Sequence, residues 1–129
     1  IKESIEYFLA EGSLKFTTDI SWNHSLYYSD LLNVWDPFRE MYEIFKKSSL
    51  VIFKGDLNYR RLTGELQWKY NTSLSKALGN FVGFPLLILR IIKSDCVVGL
   101  DEEIISALNI VNKNWKQTGE KAIVCFVPA

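Results

Sequence analysis

Cysteine is scarce in this 129-residue chain: Cys96 and Cys125 are the two, and both sit in apolar runs. Two thiols cannot build a disulfide framework, so free, buried cysteines of a reducing compartment are expected. Histidine occurs once, at His24, with no partner at metal-binding spacing, so a structural or solvent-facing role is expected for it. Charge of one sign is also missing. Lys plus Arg is 15 and Asp plus Glu is 15, a net charge of zero, which argues against nucleic-acid binding by bulk electrostatics. No apolar run is long enough to cross a bilayer, because the longest, around residues 84–98, carries Arg90, Lys93 and Asp95. No signal peptide is expected in the given sequence, since Lys2 and Glu3 already bring charge into a helical pattern. Position 1 is Ile rather than Met, and the chain is expected to begin inside something longer. Neither of the standard glycine-rich nucleotide loops is present.

What is there suits one globular domain, with 48% hydrophobic and 23% charged residues and no repeat or flexible linker. Ile1, Ile5, Phe8 and Leu9 share a face, which predicts a helix over residues 1–10 that stops at Gly12. Alternation of Leu14, Phe16 and Thr18 with Lys15, Thr17 and Asp19 predicts a half-exposed strand over residues 14–20. Residues 21–35 are irregular and aromatic, with Trp22, Tyr27, Tyr28 and Trp35, and are expected to pack rather than to stack a sugar. Asp36-Pro37 reads as a capped helix start, with Phe38, Met41, Tyr42 and Phe45 as the apolar face up to about Lys47. Fully apolar strands are predicted at residues 49–53, 85–92 and 122–127. Helices are predicted after Asp56 as far as Gly64, at residues 73–78 and at residues 101–113. Strands alternating with helices imply an α/β fold of three layers, α/β/α, around a mostly parallel sheet of about four strands.

Two segments carry charge where the pattern is otherwise apolar. In Phe53-Lys54-Gly55-Asp56-Leu57-Asn58-Tyr59-Arg60-Arg61 a buried strand ends, Gly55 permits close backbone approach and a helix begins. Ligands of open α/β sheets sit at such carboxyl ends, where Asn58 could hydrogen-bond and Arg60 or Arg61 could hold a phosphate. A capped helix with solvated arginines is the competing account. In Arg90-Ile91-Ile92-Lys93-Ser94-Asp95, Asp95 could neutralise Arg90 or Lys93 locally, or Lys93 could reach the same crevice as Asp56 and Arg60. Both readings stand at this point. Cys96 has no histidine near it in sequence to make it a nucleophile.

The run Ser48-Ser49-Leu50-Val51-Ile52-Phe53-Lys54-Gly55-Asp56-Leu57-Asn58-Tyr59-Arg60-Arg61-Leu62-Thr63-Gly64 resembles the metal-dependent damage-control phosphatases. Their subgroup also described as acidic-residue (protein-glutamate) O-methyltransferases carries a strand running into Lys-Gly-Asp-Leu-Asn-Tyr-Arg as its hallmark. Its Arg-Thr-x-Lys signature is matched by Arg90-Ile91-Ile92-Lys93, with Ile91 in place of the threonine. The stretch Trp115-Lys116-Gln117-Thr118-Gly119-Glu120-Lys121-Ala122-Ile123-Val124 is similar to the subgroup's ending. On this resemblance residues 1–129 are the C-terminal portion of a larger α/β/α catalytic domain.

The resemblance implies hydrolysis of small phosphate esters, notably sugar phosphates such as fructose 1-phosphate, with a divalent Mn, Ni or Co ion. Asp56, Leu57, Asn58, Tyr59 and Arg60 would contact substrate and Lys93 its phosphate, with Gly55 and Arg90 supporting the two motifs. The implied metal ligands, an Asp-Asn pair and a further Asp, lie upstream of Ile1, and neither Asp19 nor Asp30 sits in the metal motif. The expected partners are a phosphorylated small molecule and the rest of the catalytic domain, with no nucleic acid or membrane. The implied compartment is the cytoplasm, with the nucleus as a second. Transfer of a methyl group from S-adenosylmethionine to protein glutamates is the alternative inherited from the subgroup's other name. A non-catalytic remnant is the third, suggested by Ile91 and the missing metal ligands.

Overall fold

A computed structural model describes residues 1–18, 20–33 and 38–129. Three strands form one sheet in the order β1-β2-β3: β1 is Val51–Lys54, β2 is Leu86–Ile91 and β3 is Ala122–Val127. The apolar runs predicted for these segments are all strands. β1 and β2 are parallel, with Val51 opposite Leu86 and Lys54 opposite Leu89. β3 returns antiparallel, with Leu86 opposite Val127 and Ile91 opposite Ala122. The α/β class holds, but the sheet is mixed rather than mostly parallel. The last helix ends at Val111, and from there a non-helical turn through Trp115 and Gly119 brings the chain back along β2.

The strand period of two sorts the sheet into two faces. Phe53, Leu86, Ile88, Arg90 and Ile123 point to a buried side. There they meet Met41, Tyr42 and Phe45 of α2 (Phe38–Lys47) and Tyr59 and Leu62 of α3 (Asp56–Leu62). The spacing of the three α2 residues makes one helical stripe, and Lys46 and Lys47 in its last turn complement the helix dipole. Rings of Tyr28, Phe45, Phe53, Phe81 and Phe84 interlock edge-to-face and tilted, with Tyr28 and Phe53 centroids 4.8 Å apart. Tyr28 and Trp22 therefore pack, Trp22 against Phe45 at 5.8 Å; Trp35 lies outside the described residues, as does the Asp36-Pro37 helix start.

The opposite face is bare among the described residues. Ile52, Val124 and Phe126 are 56%, 71% and 62% exposed there, so the second helical layer of the expected sandwich is not built by these segments. The strand expected over residues 14–20 is a correction. Residues 14–18 have no regular structure and are exposed, and Asp19 lies outside the described residues. Alternation marks a strand only where another strand pairs with it, and among the described residues the sheet consists of β1, β2 and β3 alone.

α1 (Lys2–Glu11) stops at Gly12 as expected, with a left-handed φ of 82°, but buries no residue. α4 (Leu74–Leu78) starts at Ser73, whose hydroxyl accepts from Lys76 N–H. α5 (Glu102–Val111) half-buries Ile105 and Leu108 and leaves Ile104 and Val111 exposed. Among the described residues no helix is long and apolar enough to cross a membrane.

Candidate functional site

Because β1 and β2 are parallel, their carboxyl ends finish on one side of the sheet, and the two charged segments meet there. A crevice of about 290 Å³ opens between them, lined by Lys54, Gly55, Asp56, Leu89, Arg90, Ile91, Lys93 and the start of β3. At its rim Gly55 holds φ 105° and ψ 163°, a conformation open to glycine alone, and its N–H donates to Leu89 O at 2.8 Å. The chain can thus leave the sheet and enter α3 within one residue. Gly55, not Asp56, caps that helix; Asp56 is its first residue and makes no side-chain cap.

Asp56 is instead the centre of an ion network. One oxygen, Oδ1, accepts from Arg90 Nε at 2.8 Å, and the other, Oδ2, lies 3.1 Å from Arg60 Nε. The Arg60 contact has the distance of an ion pair but not the alignment of a hydrogen bond, and that N–H is buried without a hydrogen-bond partner. Arg60 is further held by Glu65 at 2.5 Å. Arg90 is fully buried, with its guanidinium 4.2 Å from the centroid of the Tyr59 ring. Its remaining donors go to Ser94 Oγ at 2.8 Å and to the carbonyls of Ser94 and Cys96. Five donors in a rigid fork are needed to serve so many acceptors, which is why an arginine stands here. The effect is to clamp the loop after β2 onto the first turn of α3.

Of the two accounts of Lys93, local pairing with Asp95 is not what is seen: Asp95 pairs with Lys116 at 3.3 Å. Lys93 is exposed, lines the crevice with Asp56 and makes no ion pair with a described residue. Arg60 reaches the crevice only through Asp56, and Leu57 is exposed on the outer side of α3. Tyr59 is buried, its hydroxyl accepting from Val98 N–H at 3.1 Å, and burial pushes its pKa up. Asn58 is turned inward: it accepts from the Tyr28 hydroxyl at 3.1 Å and donates to Lys54 O at 3.0 Å. Asp56 and Lys93 are thus brought together, while Asn58 and Tyr59 face the fold.

Several participants lie outside the two motifs or went unassigned within them. Arg61 stacks 4.6 Å from the Tyr28 ring, donates to Leu26 O at 3.1 Å and places Nη2 within 2.9 Å of the His24 ring nitrogens. Burial, and then the Arg61 charge, lower the His24 pKa, and Leu26 N–H donates to its Nδ1 at 3.1 Å. The aromatic segment therefore braces α3 from behind. Nothing in the spacing of residues 24–28 announces this, since their partners lie 30 to 37 positions away. Cys96 and Cys125 are free, and Cys96 takes the Thr63 hydroxyl as a neighbour at 3.1 Å. Burial raises the Cys125 pKa, which keeps that thiol protonated and unreactive at neutral pH.

Among the described residues, no three His, Cys, Asp or Glu side chains are grouped to hold a metal ion. Asp56, the carboxylate at the crevice, has both oxygens engaged by arginines. The described residues do not fit a resident divalent ion.

Comparison with known proteins bears on the same two motifs. A family described as "Damage-control phosphatase ARMT1-like domain" matches residues 2–108. The damage-control phosphatase ARMT1 of Danio rerio is 31% identical over 121 residues, 94% of this chain and 26% of that protein. The Xenopus laevis protein of that name is 41% identical over 85 residues, and the Homo sapiens one 36% over 84. Those matches cover 66% and 65% of this chain and 19% of each relative. The chain thus spans about a fifth to a quarter of the relatives it matches.

Proposed function

The chain belongs to the damage-control phosphatase ARMT1-like family, and from that premise we propose that the full-length protein is a metal-dependent phosphatase of small phosphate esters. Sugar phosphates such as fructose 1-phosphate are the proposed substrates. The observation that carries the reading is the meeting of Lys93 with the Asp56 network in one crevice at parallel strand ends. That is where an α/β sheet receives ligands.

In this reading residues 1–129 supply the phosphate-holding edge of the site. The Lys93 ammonium offsets charge on the phosphoryl oxygens, a contribution that grows as charge builds up in the transition state. Asp56, Arg60 and Arg90 fix the walls, and Asn58 holds the end of β1 through Lys54 O. The metal, which in a phosphatase polarises the phosphoryl group and activates water, would take its ligands from parts of the full-length protein outside this chain. The proposed partners are the phosphorylated substrate and the rest of the catalytic domain. Ile91 lines the crevice with an apolar side chain where the subgroup signature has a hydroxyl, which favours a sugar that presents carbon there.

The test is phosphate release from fructose 1-phosphate by the full-length protein, with Mn²⁺ added or chelated. Metal-dependent release that falls in Lys93→Ala is the expected result. Methyl transfer from S-adenosylmethionine to a protein glutamate, with no phosphate release, would overturn it.

A further inference from the structure

We propose that Lys54 is a second cation of the phosphate site, acting across the crevice from Lys93; the inference rests on the phosphatase reading and adds a binding residue to it. Lys54 ends β1 on the bare side of the sheet and lines the same crevice as Lys93. Both lysines are exposed, and neither makes an ion pair with a described residue. The crevice is otherwise apolar, with Leu89, Ile91, Ala122, Ile123 and Val124 as floor and wall.

The charge balance shows what is missing. Lys54 and Lys93 bring two cations to the crevice, and Asp56 brings the one carboxylate of its lining. That carboxylate is already engaged by Arg90, whose side chain is buried on the other side of the sheet, and by Arg60 beside the lining. Two unpaired ammonium groups at one apolar-walled crevice repel each other more than they would in open water, and a compact dianion between them removes that cost. A phosphate monoester has that charge and three oxygens to divide between two donors.

The backbone under Lys54 is pinned as a binding residue requires. Its carbonyl accepts from Asn58 Nδ2 at 3.0 Å, and the next N–H, of Gly55, donates to Leu89 O at 2.8 Å. Asn58 in turn is held by the Tyr28 hydroxyl. Rigid support of this sort lets a flexible lysine stem present its charge to a small volume.

The experiment measures KM for fructose 1-phosphate and the inhibition constant of inorganic phosphate in the full-length protein, for wild type, Lys54→Gln, Lys54→Arg and Lys93→Gln. Loss of one charge-assisted contact should raise both constants about tenfold in Lys54→Gln, and Lys54→Arg should restore most of it. If phosphate inhibition weakens in Lys93→Gln but is unchanged in Lys54→Gln, the role of Lys54 is refuted and the phosphatase reading stands. If neither variant changes it, both fall. Calorimetric titration of inorganic phosphate into the same proteins reads the site without turnover. Equal affinity in wild type and Lys54→Gln there overturns the inference even if wild type releases no phosphate.

Discussion

Arg90 and Lys93 stand three residues apart and do opposite kinds of work. Removing Arg90 leaves the Asp56 carboxylate, one-fifth exposed, without its hydrogen-bonded partner and frees the Ser94 and Cys96 carbonyls. Arg90→Ala is therefore expected to cost about 3–5 kcal/mol, the scale for breaking a buried pair, read from denaturant midpoints. Arg90→Lys should recover only part, because one ammonium cannot span those acceptors. Lys93→Ala should leave stability within about 0.5 kcal/mol and lower phosphatase activity in the full-length protein by about tenfold to a thousandfold. Equal destabilisation by the two variants would erase the distinction. His24 offers a separate test, on pH. Burial and Arg61 hold its folded pKa below the ordinary value of 6.5, so the unfolded chain takes up a proton more readily. Stability from this group is then complete above about 6.5 and declines as pH falls beneath it. Between pH 7 and 5, unfolding of the wild type should show a steeper loss than His24→Gln, and parallel curves would rule the group out.

At the scale of elements, the runs at residues 50–53, 85–92 and 122–127 were legible as strands from their short, β-branched apolar patterns, although one face of the sheet they form is exposed. The direction of β3 was not, since such a run reads alike either way and only the turn through Trp115 and Gly119 decides it. Arg90 and Lys93 were legible as misfits in an otherwise apolar stretch. The partner of Arg90 was not, because Asp95 is closer along the chain while Asp56, 34 positions away, is closer in space. The alternation at residues 14–18 misled because no strand among the described residues pairs with it. Gly119, at φ 72°, shows how one turn bears on the site: a Cβ added there would lie 3.8 Å from Lys93 Cε and 4.0 Å from Ile91 Cγ2. Gly119→Val is therefore expected to strain this positive-φ turn, shift it against the lysine stem and raise KM more than it lowers kcat. A change in kcat alone would separate this turn from phosphate binding.

As a whole molecule, the described residues leave one sheet face apolar and open, with Ile52, Ile91, Val124 and Phe126 exposed together. Produced alone, residues 1–129 should bind a hydrophobic dye strongly and should neither take up Mn²⁺ at micromolar concentration nor hydrolyse a sugar phosphate. Stoichiometric Mn²⁺ binding in calorimetry, with turnover, would place the metal ligands within this chain. The order of the strands has another consequence, for how the site comes into being. Lys54 and Lys93 are brought together only once β1 has found β2, more than 30 residues away, and the start of β3 closes their crevice from as far again. The strand pairings that form the crevice are therefore long-range, and the loop-closure entropy of two such excursions must be met before it opens. α1, which buries nothing, can fold and fray on its own timescale without being felt there. The charged edge is thus among the last features to appear as the chain folds, and partial unfolding that separates β1 from β2 dismantles it at a stroke.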